Sequence, residues 1–195
     1  MKGQERKTIG LKWDDMIRLH KEMKADRNRL HLLIILQSFL GLRIGDLLTL
    51  TWNDFLSNAE VLNLVEQKTG KARKITINEQ LRTIVKEAYE YQKFGVKKRE
   101  PIFLNESKTK TMSISYINRQ LKKAFEKYGV NTSGNVSSHI LRKTFAVKIL
   151  EDNDHSDKAI FLVSNLLNHS STNTTMKYLN LDLRVQSEAY NSLTI

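Results

Sequence analysis

The chain has 195 residues, which suits one well-filled domain, and it carries 32 lysines and arginines against 21 aspartates and glutamates. The resulting net charge of +11 at pH 7 favours a polyanionic partner, a requirement that nucleic acid, an anionic membrane and a ribosomal surface all satisfy. Because cysteine is absent, disulfides, thiolate nucleophiles and cysteine-ligated metal clusters are excluded.

The first 52 residues predict three helices, with Gly41 between the second and the third. Residues 1–10 are polar and basic without apolar periodicity, and we expect a leader or a linker stub there. Apolar residues at helical spacing predict helices over residues 11–25 and 27–40, the second apolar on nearly all sides and therefore buried. Gly41 is the expected C-cap of the second helix, and residues 44–52 are expected to resume a short helix.

A β-hairpin is predicted where two strand-like runs, residues 61–67 and 73–77, flank the turn Lys68-Thr69-Gly70-Lys71. Residues 101–104 fit a short extended segment. The remaining apolar periodicity predicts helices over residues 79–94, 113–128, 137–150, 158–167 and 172–179. The expected fold is therefore mainly α with one small antiparallel β-sheet, an α+β arrangement.

No stretch of the sequence predicts insertion into a membrane. The most apolar run, residues 30–42, is too short to cross a bilayer and contains Gln37 and Ser38. The N-terminus lacks the apolar segment of a signal peptide. We therefore expect a soluble, cytoplasmic protein.

Arg43 is placed to bind an anion. It lies between Gly41 and Gly45 at the start of a predicted helix, where backbone amides also favour anions. A plainer interpretation is a salt bridge from Arg43 to Asp46. Both interpretations stay open, because a carboxylate can orient a guanidinium that also binds phosphate.

A second candidate is the His-x-x-Arg pair formed by His139 and Arg142. Residues three apart are neighbours on a helix, so the imidazole and the guanidinium share one face. Alone, this pair is a weak signal, and an ordinary surface pair is the simpler interpretation. It gains weight only if other residues converge on the same anion.

The other polar candidates are a lysine, a histidine and a tyrosine. Lys68 in the hairpin turn is a flexible ammonium able to reach a neighbouring cleft, whereas its neighbours are expected to be solvated charges: Lys71, Arg73 and Lys74. His169 precedes Tyr178 in the last predicted helical region, where a tyrosine on its own is most often half-buried packing. Each fragment is ordinary, but their order is not.

Together these motifs resemble the tyrosine recombinase family, also called phage integrases, over about residues 11–179. Gly-Leu-Arg-Ile-Gly-Asp at 41–46 is similar to the family's first arginine motif, and Gln-Lys-Thr-Gly-Lys at 67–71 to its hairpin lysine motif. The resemblance implies the tyrosine recombinase catalytic fold. It also implies a catalytic set, backed by Asp46, that consists of Arg43, Lys68, His139, Arg142, His169 and Tyr178.

The resemblance implies site-specific cleavage and rejoining of DNA through a 3′-phosphotyrosyl intermediate, in recombination or integration. Tyr178 would be the nucleophile, and Arg43 and Arg142 would hold the scissile phosphate. His139 is the expected base for the phenol, and Lys68 is expected to protonate the departing 5′ oxygen.

The resemblance gives supporting roles to His169 and Asp46, and the chain departs from the family pattern at Asn168 and Lys143. His169 would hydrogen-bond a non-bridging oxygen, and Asp46 would orient the arginine network. Asn168 stands where the family usually has glycine, and Lys143 stands where histidine or arginine is usual. Because asparagine tolerates left-handed backbone geometry, the turn at Asn168 is expected to survive.

The implied partner is double-stranded DNA, bound by a homotetramer whose protomers are monomers in isolation, with no small-molecule substrate. No cofactor or metal is implied, and none of the five histidines lies in a recognised ligand spacing with a carboxylate. Residues 11–180 would be the catalytic domain, without the N-terminal core-binding domain of full-length members. Residues 181–195 would be a C-terminal tail that docks on its own domain or on a neighbouring protomer.

Two alternatives remain. A type IB topoisomerase also uses a tyrosine and basic residues, but the His-x-x-Arg box and the small size favour recombination. A non-catalytic DNA-binding domain of the same fold would need only the basic surface. Against it, no member of the catalytic set is missing from the sequence.

Overall fold

The computed structural model describes residues 10–92, 95–132, 134–181 and 190–192. Across these ranges the chain forms nine α-helices and one two-stranded antiparallel sheet, which confirms the predicted fold class. In chain order the elements are α1 (Trp13–Ala25), α2 (His31–Leu40), α3 (Ile44–Leu47), α4 (Asn53–Leu56), β1 (Val61–Val65), β2 (Ala72–Thr76), α5 (Glu79–Gln92), α6 (Ile114–Lys127), α7 (His139–Glu151), α8 (Asp157–Leu166) and α9 (Thr172–Leu179).

Helices α1 and α2 begin later than predicted, for local reasons. The backbone N–H of Leu11 donates to Thr144 Oγ1 on α7 at 2.8 Å, and Lys12 is extended, so α1 begins at Trp13. Arg27 has a φ of 54°, which a helix interior does not accept, so α2 begins only at His31. As predicted, α2 is buried on almost every side.

Gly41 ends α2 in the left-handed conformation, as predicted for its C-cap. Its φ is 57°, and an added Cβ would lie 2.4 Å from Cδ1 of Phe145 on α7. Glycine is therefore required both by the backbone and by the close approach of α7.

The predicted helix over residues 44–52 is wrong in its second half. Helix α3 ends at Leu47, and Thr51 pairs with Pro101 in an isolated β-bridge. The carboxylate of Asp54 accepts the backbone N–H of Thr51 at 2.7 Å, and the chain then forms the unpredicted short helix α4.

The predicted hairpin is confirmed, with Val61 paired to Thr76 and Leu64 paired to Arg73. Gly70 takes a φ of 66° in the turn, and its N–H donates to Glu66 O at 2.8 Å. The hairpin therefore places Lys68 at its tip, beside α3.

The buried apolar residues divide into a large and a small cluster. Helix α7 belongs to both, because Ile140 and Leu141 lie in the large cluster while Ala146 and Leu150 lie in the small one. The small cluster joins α7, α8 and α9 and consists of Ala146, Leu150, Ala159, Val163, Leu167 and Leu179.

Serine side chains begin both helices of the last region. Ser156 Oγ accepts the N–H of Ala159 to cap α8, and Ser171 Oγ accepts the N–H of Thr174 to cap α9. Between them, Asn168 has a φ of 55°, so the left-handed turn predicted there without glycine is confirmed.

Parts of three predictions fall outside the described residues. They are residues 1–9 of the predicted leader, residues 93–94 of the helix predicted over residues 79–94, and residues 182–189 and 193–195 of the predicted tail. Among the helices that are described, none combines the length and apolar character needed to cross a bilayer.

Gly41→Ala is expected to lower the free energy of unfolding by about 2–5 kcal/mol. The left-handed backbone accounts for about 1–2 kcal/mol, and the contact with Phe145 adds about 1–3 kcal/mol of overpacking. Urea denaturation measures the loss. Gly129→Ala is the matched control, since its φ is also positive at 60° but nothing lies within 4 Å of the added Cβ. Equal losses in the two variants would contradict the proposed steric role of Phe145.

Candidate active site

Arg43 stands at the junction before α3 and reaches toward the hairpin. It is the N-cap of α3, with extended backbone, and its Nη1 lies 2.6 Å from Oε2 of Glu66. The predicted salt bridge to Asp46 is therefore wrong, and the partner is Glu66. The backbone of Arg43 is extended and its side chain reaches toward the hairpin, whereas Asp46 lies within helix α3.

Glu66 and Arg73 were not predicted as part of any site. Arg73 was expected to be solvated, but it is buried and donates from Nη2 to Leu40 O at 2.9 Å. Its Nη1 lies 3.7 Å from Oε1 of Glu66, whose side chain is fully buried. The signal was present in the alternation of the strands, since Leu62, Leu64 and Glu66 share one face and Arg73 shares a face with Ile75.

Asp46 is nearly buried and contacts the hairpin instead of a guanidinium. Its Oδ1 accepts the backbone N–H of Gln67 at 2.8 Å. Because Gln67 immediately precedes Lys68, this hydrogen bond attaches the base of the lysine turn to α3. Burial lowers the pKa of both Arg73 and Arg142, and the charge of Asp46 opposes that lowering.

Lys68 and His139 lie on neighbouring elements. Lys68 is exposed at the hairpin tip, and His139 is exposed at the first residue of α7. Desolvation of the ring lowers the pKa of His139, and the charges of Arg142, Lys143, Lys68 and Arg43 lower it further. At neutral pH the imidazole is therefore unprotonated and able to accept a proton.

Arg142 lies one turn after His139, with only 2% of its surface exposed. Its Nη2 donates to Leu167 O at 2.8 Å, which ties α7 to the end of α8. Burial lowers the pKa of the guanidinium, and the carboxylates of Glu66 and Asp46 act in the opposite direction. Among the residues that the structure describes, the buried Nη1 of Arg142 has no hydrogen-bond partner.

Tyr178 and His169 face each other, with ring centroids 5.5 Å apart in an edge-to-face arrangement. His169 Nδ1 is 2.9 Å from Thr175 Oγ1, which fixes the orientation of the imidazole. Burial lowers the pKa of His169 to about 4, and the charges of Arg142 and Arg43 contribute. The histidine is therefore neutral at physiological pH.

The phenol of Tyr178 lies beside the arginines. Burial raises its pKa to about 12, although the positive charges of Arg142 and Arg43 oppose that rise. The interaction of the phenol with the Arg142 guanidinium also opposes the rise, although neither Tyr178 Oη nor Arg142 Nη1 makes a hydrogen bond of ordinary geometry within the described ranges. Nζ of Lys143 lies 4.9 Å from the centroid of the phenol ring.

The structure thus brings the six predicted site residues into one electrostatic neighbourhood. Arg43 and Arg142 act on both histidines and on Tyr178, and Lys68 acts on His139. An anion with tetrahedral oxygens suits such a centre, because guanidinium forks match phosphate geometry. In the described part of the chain, no three histidine or acidic side chains are grouped to hold a metal ion.

The sequence profile of the phage integrase family matches residues 10–184. The chain belongs to the phage integrase family. A probable integrase/recombinase of Bacillus subtilis, YoeC, is 35% identical to this family member over 150 residues, which cover 77% of the chain and 76% of YoeC. The family resemblance inferred from the sequence is therefore confirmed.

Solved structures show the same fold. XerA recombinase superposes with a TM-score of 0.69 at 21% identity, covering 100% of this integrase-family chain and 66% of XerA. XerH bound to its palindromic difH substrate, a post-cleavage complex, gives a TM-score of 0.68 at 20% identity, over 94% and 53% of the two chains. The chain likewise spans about half the length of the Xer recombinases among its curated relatives, 46% to 54%.

Tyr178 is expected to stay protonated where an ordinary tyrosine ionises, near pH 10. Tyr178→Phe should therefore leave the rise of tyrosinate absorbance around pH 10 unchanged in the folded protein, since the pKa of Tyr178 is about 12. In denaturant the same variant should lose one of six tyrosines. Because the unfolded phenol ionises first, the fold loses stability as pH rises from about 10 to 12. A smaller absorbance rise near pH 10 in folded Tyr178→Phe would contradict the raised pKa.

Proposed function

We propose that this domain cuts and rejoins DNA strands in site-specific recombination, through a covalent 3′-phosphotyrosyl intermediate. The observation that carries the proposal is the phenol of Tyr178 beside a buried arginine, Arg142, whose Nη1 is unpartnered within the described residues. Family membership supports it, and XerH was solved on a DNA substrate after cleavage.

In the proposed step, Oη of Tyr178 attacks the scissile phosphorus and displaces the 5′ oxygen in line. The phosphorus–5′ oxygen bond breaks as the tyrosyl ester forms, so one phosphodiester replaces another and no nucleotide cofactor is needed. Arg43 and Arg142 stabilise the negative charge that develops on the non-bridging oxygens. A 5′ hydroxyl from another strand reverses the step and rejoins the DNA.

Two protons move during this step. His139 accepts the phenolic proton, which suits an imidazole that is neutral before the reaction. Lys68 delivers a proton to the 5′ oxygen from the tip of the hairpin. His169 hydrogen-bonds a non-bridging oxygen, and Asp46 holds the hairpin against α3 through Gln67.

The proposed partner is duplex DNA carrying a recombination site, in the cytoplasm of a bacterium that carries the gene on its chromosome, a phage or a mobile element. Four protomers would act together on two duplexes. The positive charge of the chain supports this partner, because cationic side chains release counterions from DNA.

The proposal is tested by covalent capture from a pool of nicked duplexes with a randomised central segment. A nick just downstream of the scissile phosphate lets the short fragment that carries the new 5′ hydroxyl diffuse away, so the wild-type protein should accumulate as a protein–DNA adduct that survives denaturation. Tyr178→Phe should form none. An adduct in the phenylalanine variant would show that another nucleophile acts. DNA binding by the wild type without any adduct would favour a binding domain that does not cut.

Arg142→Lys should lower the single-turnover cleavage rate by about 10²- to 10³-fold, the usual loss for one transition-state donor. Lysine keeps the charge but cannot present a planar fork. Affinity for the captured duplex, measured by fluorescence anisotropy, should change little, since one phosphate contact among many is altered. Arg99→Lys makes the same chemical change at an exposed position. Equal losses of binding and cleavage in Arg142→Lys would contradict the catalytic role.

A further inference from the structure

We infer that Glu66 is a positioning residue that holds the phosphate-binding arginine and the lysine turn in a fixed relation to each other. The inference rests on the proposed function, because it assigns Arg43 and Lys68 to two different parts of one cleavage step. Glu66 itself contacts neither phosphate nor leaving group in this account.

A single carboxylate oxygen makes both connections. Oε2 of Glu66 accepts from Nη1 of Arg43 at 2.6 Å and from Oγ1 of Thr69 at 2.8 Å. Thr69 follows Lys68 directly, and its hydroxyl also accepts the N–H of Lys71 at 3.4 Å. Moving this oxygen therefore moves the guanidinium of Arg43 and the turn that carries Lys68 together.

Arg73 forms an ion pair with the other carboxylate oxygen, which accepts no hydrogen bond within the described residues. Its Nη1 lies 3.7 Å from Oε1 of Glu66, and its guanidinium donates to Leu40 O at 2.9 Å and to Gly41 O at 3.4 Å. Helix α2 ends at Leu40 with Gly41 as its C-cap, and Arg43 follows two residues after Gly41. The contacts form a closed ring from the end of α2 through Arg73 and Glu66 back to Arg43.

Burial makes this carboxylate sensitive to the loss of its partners. The side chain of Glu66 is 0% exposed. Desolvation alone raises its pKa, but hydrogen bonds from Thr69 and Arg43 and the charges of Arg43 and Arg73 outweigh it, so the pKa lies below its usual value. The carboxylate is ionised, and its neutralisation removes the negative charge that forms ion pairs with both Arg43 and Arg73.

The test compares two forms of the captured duplex, one with oxygen and one with sulfur at the bridging 5′ position. When sulfur leaves, the phosphorus–sulfur bond breaks and a thiolate departs without needing a proton, because thiols are far more acidic than alcohols. The cleavage rate of Lys68→Ala should therefore return to the wild-type rate on the sulfur duplex, whereas that of Arg43→Lys should stay low. The ratio of sulfur to oxygen rates reports on the lysine separately from the arginine.

Glu66→Gln removes the charge and keeps the shape. Its cleavage rate on the oxygen duplex should fall by about 10- to 100-fold, the loss typical when a residue that orients a directly binding side chain is changed. The sulfur duplex should restore only part of that loss. Thr69→Val removes only the tie to the turn, so sulfur should restore its rate fully. Glu60→Gln, an exposed glutamate before β1, is the matched control and should behave as wild type with both duplexes.

A sulfur-to-oxygen ratio in Glu66→Gln equal to the wild-type ratio would overturn the inference, since general loss of folded protein lowers both rates equally. Full restoration by sulfur, or none, would also overturn it, because only one of the two residues would then depend on Glu66. Should Glu66→Gln fail to fold, Glu66→Asp and Thr69→Val supply the same ratio. If the wild type forms no adduct with either duplex, the proposed function fails instead.

Discussion

Three guanidinium groups lie close together in the site, and their mutual repulsion has to be offset inside the fold. Burial, and then the like charge of Arg142, lower the pKa of Arg73 to about 10. The buried carboxylates of Glu66 and Asp46 oppose the lowering of the pKa of Arg73 and Arg142 without reversing it. Three positive charges against two negative ones leave a centre that an incoming phosphate can neutralise.

This imbalance also bears on Tyr178. The positive charges of the arginines favour its phenolate, yet burial outweighs them and keeps the phenol protonated in the DNA-free protein. Neutral His139 and neutral His169 add no further positive charge at physiological pH. At neutral pH the two histidines and the tyrosine of the site are therefore uncharged, while the guanidinium groups beside them carry positive charge.

Most of the architecture could be predicted from local periodicity, and the site could be predicted only in part. The hairpin, the buried α2 and the bounds of α9 follow from short-range patterns. Arg73 and Glu66 were missed because charged residues in a hairpin normally face solvent. Strand alternation places both on the apolar face, and the tertiary structure buries that face. The true partner of Arg43 is distant in sequence, so helical spacing suggested Asp46 instead. The roles of the six site residues remain predictions.

Because the apolar core is divided into two clusters, the segment that carries Tyr178 and the segment that carries Arg43 are stabilised separately. Tyr178 packs on the small cluster, whereas the residues flanking Arg43 belong to the large one. Local unfolding costs less free energy where less apolar surface is buried. Transient opening of α8 and α9 would thus expose their amide hydrogens to exchange while α2, α3 and the hairpin stay closed. A domain arranged in this way can open the segment that carries Tyr178 reversibly while Arg43 keeps its place in the folded remainder.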